Sequence, residues 1–276
     1  MRILLAAEPT SRPDPRRATL IKLLAAPALM LVPGLGLAQP ARAGLVELVA
    51  SARGSVLAVG SFNPLDNPRF AFRGSGFVVG DGLTVVTNVH VLPDTAASPG
   101  LRLAVLIPRA GGTPELRPAE LLRSDVDRDL ALLRIEGAPL PALRLAEAEQ
   151  VSEGLDIAIM GFPLGPALGL VPVTHRGIVS AVSSVALPPA NARQLDERAA
   201  ARLRRGGFEV LQLDITAFPG HSGAPVLDIA SGQVVGVVNM VLVRRSEGAA
   251  AAAVSSPSGI SFAIPGRFVA SLLRER

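Results

Sequence analysis

The chain contains no cysteine, no tryptophan and no tyrosine, and only three histidines. The missing thiols exclude disulfides, thiol nucleophiles and cysteine-ligated zinc. Export favours disulfides, but a core of this size can do without them. The histidines stand at 90, 175 and 221, without the spacing of a metal-ligand set, so neither a metal nor another cofactor is expected. The apolar run near the N-terminus, residues 23–38, is also short. It has 16 residues and two prolines, Pro27 and Pro33, against the roughly 20 residues that span a bilayer.

That run has the parts of an export leader. Arg16, Arg17 and Lys22 precede it, and Ala41-Arg42-Ala43 follows it as a small-x-small cleavage pattern. Residues 1–43 therefore read as a signal peptide, and the rest as periplasmic or secreted. A retained leader would instead tie the chain to a membrane. The paired arginines resemble a twin-arginine signal, with unusual spacing after Arg17. Removing residues 1–43 from 276 leaves 233, enough for one large core or two small barrels. Six of the 27 basic and two of the 23 acidic residues lie in the leader, which leaves 21 of each. A balance of zero gives no support to a nucleic-acid partner.

Beyond the leader, residues 44–53 have helical spacing, with Leu45, Leu48 and Val49 on one side. Short Val- and Ile-rich runs follow, bounded by Gly, Pro, Asp or Asn. They predict strands at 55–59, 70–79, 83–87, 101–107, 119–123 and 130–135. A second set lies at 157–160, 173–182, 210–214, 225–227, 234–243 and 260–264. Many short strands and few helices argue for sandwiches or barrels. Residues 137–150, rich in Pro and Ala, suit a linker between the two sets. Residues 266–274 read as a closing helix, with Phe268, Val269 and Leu272 at helical spacing. Residues 191–205, with five arginines, read as a solvated helix on a long loop. Residues 247–259 are low-complexity sequence.

Three segments at the edges of apolar runs carry chemistry: Thr87-Asn88-Val89-His90-Val91, Asp129-Leu130-Ala131-Leu132-Leu133 and Gly220-His221-Ser222-Gly223-Ala224-Pro225. They supply a base, a carboxylate and a hydroxyl. A serine hydroxyl is a weak nucleophile near neutral pH and needs an imidazole to take its proton, oriented by a carboxylate. No histidine follows Ser222, and position 224 is alanine, so the α/β-hydrolase order and its G-x-S-x-G elbow are excluded. His90, Asp129, Ser222 is the chymotrypsin order. Asp125 and Asp127 compete for the carboxylate role, but Asp129 directly precedes the apolar strand.

With these residues, the chain resembles the trypsin-like serine proteases, and among them the HtrA (Deg) family. Gly74-Ser75-Gly76-Phe77, Asp81-Gly82 and Thr87-Asn88-Val89-His90-Val91 follow one family block. Asp125 to Leu132, Gly161-Phe162-Pro163-Leu164-Gly165, Val173-Thr174-His175-Arg176-Gly177-Ile178-Val179-Ser180 and Gly259-Ile260-Ser261-Phe262-Ala263-Ile264-Pro265 resemble further ones, and Asp214 lies eight residues before Ser222. The resemblance covers about residues 45–268. It implies an all-β fold of two six-stranded antiparallel barrels, at about 54–140 and 150–265, within a protease domain over 44–276. The active site would lie between them. It implies His90 as general base, Asp129 as its orienting carboxylate and Ser222 as nucleophile. The backbone N–H groups of Gly220 and Ser222 would form an oxyanion hole. Protein or peptide substrates are implied, in extracytoplasmic quality control.

Three departures stand out. His221 replaces the family's usual asparagine, Ala224 replaces a glycine, and only 11 residues follow Pro265, too few for a PDZ module. His221 is expected to pack under the oxyanion turn, and His175 to be a partly exposed strand residue. Thr216, six residues before Ser222, would form the floor of the specificity pocket. It is neutral, so small or medium apolar side chains are expected there. Ile260 would line the pocket or lie behind it with Phe262. The family self-associates through an N-terminal aromatic-rich segment. Here only Phe62, Phe70 and Phe72 are available, so a homo-oligomer is open and a trimer is not implied. The alternative to an enzyme is a gated or impaired site that holds peptides without cutting them.

Overall fold

The computed structural model describes residues 44–95, 100–109, 111–147, 151–185, 208–239 and 259–275. The leader, the arginine-rich run at 191–205 and most of the low-complexity stretch at 247–259 lie outside them. Helix α1 (Leu45–Ala52) opens the described chain. Strands β1 (Val56–Phe62), β2 (Phe70–Val79), β3 (Thr84–Thr87), β4 (Arg102–Ile107), β5 (Glu115–Asp125) and β6 (Leu130–Ile135) follow. Then come β7 (Asp156–Gly161), β8 (Val173–Val185), β9 (Phe208–Asp214), β10 (Pro225–Asp228), β11 (Val234–Val238), β12 (Ile260–Pro265) and helix α2 (Gly266–Arg274). They close into two antiparallel barrels, in the orders β1-β2-β3-β6-β5-β4 and β10-β11-β12-β9-β8-β7.

The apolar runs are continuous because both faces of many strands are buried. Side chains alternate across a strand. In β1, Leu57 and Val59 fill the first barrel, with Val85, Val105 and Leu133. Val56 and Ala58 face the other way, into a cluster that also holds Met160 and Phe162 of the second barrel's side. In β7, Ile157 and Ile159 fill the second barrel with Leu211, Leu213 and Val226. Ala158 and Met160 join the shared cluster. Each barrel thus has its own interior, and a third apolar layer joins them.

The expected linker is tied to both barrels. Leu143 N–H donates to Val78 O (2.8 Å), and Ala146 N–H donates to Val234 O (2.9 Å). Helix α2 buries Val269 and Leu272. Its Phe268 ring carries the guanidinium groups of Arg128 (4.5 Å) and Arg267 (4.7 Å).

Strand β5 begins four residues before its expected start. The added residues include Glu115, Arg117 and Pro118, and Arg117 is 7% exposed. Its guanidinium is bound by Glu115 (2.7 Å) and by the carbonyls of Glu136 (3.1 Å) and Ala138 (2.7 Å). A paired cation can be buried, and hydropathy alone does not register the pairing. The expected strand at 234–243 ends at Val238, and residues 240–243 lie outside the described chain.

Leu133 is fully buried in the first barrel. Leu133→Ala is expected to lower unfolding free energy by about 2–5 kcal/mol, read from the urea midpoint.

Candidate active site

His90 sits in a single 3₁₀ turn, Val89–Val91, directly after β3. Asn88 is extended before it, and Val91 N–H and Leu92 N–H return to the carbonyls of Asn88 (3.2 Å) and Val89 (3.0 Å). Arg73 Nε–H donates to Val91 O (2.8 Å) and holds the far side of the turn.

Asp129 ends the turn before β6 in the left-handed region, with φ +57. Aspartate tolerates that region better than most side chains. The conformation lets both backbone and side chain face the His90 turn. Asp129 O accepts from Val89 N–H (3.3 Å) and from Asn88 Nδ2–H (2.9 Å). Its Oδ1 accepts from the backbone N–H of His90 (2.9 Å). Its Oδ2 faces His90 Nδ1 at 2.5 Å. An ionised carboxylate only accepts, so Nδ1 carries the ring proton and Nε2 is left as an acceptor. Ser222 Oγ lies 2.8 Å from Nε2 and is placed to donate to it. The structure thus brings together the three side chains that the sequence singled out.

Of the two competing carboxylates, Asp127 lies exposed in the turn before β6. Asp125 turns back on Arg128, accepting from its backbone N–H (3.0 Å) and its guanidinium (2.6 Å). Asp214 ends β9, as expected.

Ser222 lies in the tight segment between β9 and β10. Pro219 O accepts from Leu164 N–H (2.8 Å), and His221 O accepts from Ala224 N–H (2.8 Å). In a trans peptide the N–H points opposite to the C=O. These two bonds therefore turn the N–H groups of Gly220 and Ser222 away from Leu164 and Ala224. Among the described residues neither N–H meets an acceptor. Gly220 has φ +104, and a Cβ there would stand 2.3 Å from Phe162 O, so only glycine fits.

His221 does pack beneath this turn, with no exposed surface. Phe218 N–H donates to its Nδ1 (3.0 Å). The ring stands 5.2 Å from that of His175, edge to face. His175 is partly exposed on β8, as expected, and its ring also meets that of Phe218 at 5.8 Å. Ala224 is fully buried, and its methyl faces the bare α-carbon of Gly161. Thr216 is half-buried just beyond β9. Ile260 opens β12, paired with Asp214, and is 47% exposed. Phe262 packs against the apolar layer between the barrels.

Sequence reading missed two polar residues here. Asn239, 1% exposed after β11, donates from Nδ2 to Asp129 Oδ2 (2.8 Å). Ser261 is buried on β12. Its hydroxyl donates to Ile215 O (2.7 Å) and accepts from Ala217 N–H (3.2 Å), fixing the backbone around Thr216. Both are single polar residues in apolar runs of the sequence and carry no signal of position. Among the described residues no three His, Asp or Glu side chains gather as a metal-binding group.

Burial first, and then His175, pushes the pKa of His221 down to about 4. The bond from Phe218 N–H can form only with unprotonated Nδ1. In the unfolded chain the ring titrates near its ordinary 6.5. Between these values the unfolded state binds more protons, so stability is complete above about pH 6.5. It falls by about 3 kcal/mol as pH drops through 4. His221→Asn is expected to flatten stability against pH in that window, read from urea midpoints at pH 4.5 and 7.

Comparison with known proteins agrees with this architecture. The family described as Trypsin-like peptidase domain matches residues 74–237. The DegP-like periplasmic serine endoprotease of Pseudomonas fluorescens is 31% identical over 192 residues, 70% of this chain and 32% of the relative. That of Chlamydia muridarum is 30% identical over 203 residues, 73% and 33% respectively. The chain thus spans about a third of the length of these relatives. Among solved structures, Deg5 superposes with a TM-score of 0.55 at 24% identity, over 82% of this chain and 90% of its own. The HtrA-type protease AlgW with a tripeptide has a TM-score of 0.55 at 23% identity, over 82% and 61%. These two similarities concern the fold. The chain belongs to the trypsin-like peptidase family, and its relatives within that family are the DegP-like members of the HtrA group.

Proposed function

We propose that this chain is a serine endopeptidase that cleaves protein substrates through an acyl-enzyme, and that it works in the periplasm on unfolded proteins. One observation carries the reading: the unbroken contact from Asp129 Oδ2 through His90 to Ser222 Oγ, at 2.5 and 2.8 Å.

In this reading Ser222 Oγ attacks the carbonyl carbon of the scissile bond, and its proton passes to His90 Nε2. Asp129 stabilises the imidazolium by accepting from Nδ1–H and does not itself take the proton. The tetrahedral oxyanion is held by the N–H groups of Gly220 and Ser222. One such donor is worth about 10²–10³ in rate. As the carbon–nitrogen bond breaks, His90 returns its proton to the leaving amine. Water, deprotonated by His90, then attacks the ester, and Ser222 recovers its proton. Asn239 shares the carboxylate oxygen with the ring and restrains Asp129 from the second barrel.

Thr216 and Ile260 are proposed to shape the pocket for the side chain preceding the cleaved bond. No cation-binding charge stands at Thr216, so small or medium apolar side chains are favoured. The features that suggested an impaired site support activity instead. His221 turns into the barrel rather than toward His90, and Ala224 fits against Gly161.

Purified protein without the leader is expected to label with a fluorophosphonate at Ser222 and to degrade casein. Ser222→Ala is expected to abolish both, and Asp129→Asn to lower kcat by about 10⁴. Wild-type protein that labels but does not turn over would identify a gated site, and one that does neither a binding module. On peptide libraries, cleavage after Ala, Val or Leu is expected. Efficient cleavage after Arg alone would refute the pocket assignment.

A further inference from the structure

Ser75 lies on β2 of the first barrel, has no exposed surface and has no place in the relay above. Its backbone N–H and its hydroxyl both reach across the seam to the second barrel. Its N–H donates to Ser222 O (2.8 Å), and its hydroxyl donates to Gly220 O (2.6 Å). The same hydroxyl accepts from Phe162 N–H (3.0 Å). One proton is given and one received, so the single donor and one of the two lone pairs of Oγ are used.

We propose that Ser75 is a positioning residue for the oxyanion turn, setting the two N–H donors from the opposite barrel. The inference rests on the protease reading above. The geometry is specific. Ser75 fixes the carbonyls of Gly220 and Ser222, the peptide planes on either side of the His221–Ser222 peptide. The Ser222 N–H lies between two clamped planes. The Gly220 N–H is separated from one of them by a single α-carbon, whose φ of +104 is favourable only for glycine. Thr87 completes the clamp by donating from Oγ1 to Ser75 O (2.8 Å). Without the Ser75 hydroxyl, Gly220 O and Phe162 N–H lose their partner in a buried place, and the turn must rotate to find another. Substrate held by its side chains would be affected little, because the donors are needed when negative charge develops.

The test compares wild type, Ser75→Ala and Ser75→Cys. The expected result for Ser75→Ala is a kcat lower by about 10–100-fold, a fraction of what losing one donor costs or its full lower range. KM should stay within about threefold. Affinity for a peptide boronate, which mimics the tetrahedral adduct, should fall in parallel with kcat, while affinity for the cleaved peptide product holds. A folded Ser75→Ala with kcat within twofold of wild type overturns the proposal. So does equal loss of boronate and product binding, which would mark general damage. If Ser75→Ala does not melt cooperatively, the near-isosteric Ser75→Cys is judged by the same criteria. The amide resonances of Gly220 and Ser222 give a readout independent of turnover. They are expected to shift in the variant while that of Leu133 does not, and unchanged resonances overturn the proposal. Wild-type protein without labelling or turnover would refute the protease reading, while the amide readout still decides the role of Ser75.

Discussion

The site is organised around one carboxylate. Asp129 accepts from the backbone N–H and the ring of His90 and from Asn239 across the seam, while its own carbonyl takes Val89 and Asn88. Two turns of the first barrel and the end of a strand in the second thereby share one anchor. This arrangement selects one imidazole tautomer, because an ionised carboxylate can only receive a proton donor. In the proposed reaction, the direction of proton flow at Ser222 follows from that selection. The left-handed backbone at Asp129 is the local strain that makes the geometry reachable.

The second constraint is held by backbone carbonyls. Pro219, Gly220, His221 and Ser222 each have their C=O bound, to Leu164, Ser75, Ala224 and Ser75 respectively. Once these oxygens are fixed, planar trans peptides leave the N–H groups of Gly220 and Ser222 little choice of direction. Donors oriented before substrate arrives need no reorganisation during reaction, which is why such sites stabilise developing charge well. His221 fits the same logic. Its neutral ring accepts Phe218 N–H below the turn, and the full burial that keeps it neutral ties the turn to pH.

Much of the fold was legible in residue order. The bounds of β2 and β6 match their expected runs to the residue; residues 74–79 of β2 and all of β6 but Arg134 are buried, and polar or glycine-rich turns border both. The start of β5 was not legible, because a buried Arg117, paired with Glu115 and two backbone carbonyls, resembles a surface charge in sequence. The histidine, aspartate and serine of the site could be named because each stands beside a run whose burial fixes its exit point. Asn239, Ser261 and Ser75 could not be given roles. Each is a small polar residue set among apolar or glycine neighbours, and its partner lies on an element far away in the chain.

By itself, then, the order of residues determined the strand pattern, an all-β sandwich or barrel class and a candidate base, carboxylate and hydroxyl, since periodicity and turn chemistry are local properties; the two-barrel form was what the family resemblance implied. Only the folded chain decided which oxygen meets which hydrogen. The contact between His90 and Ser222 spans 132 positions, and that between Ser75 and Gly220 spans 145. Hydrogen bonds depend on tenths of an ångström and on angle, and these are set by how the two barrels pack against their shared apolar layer.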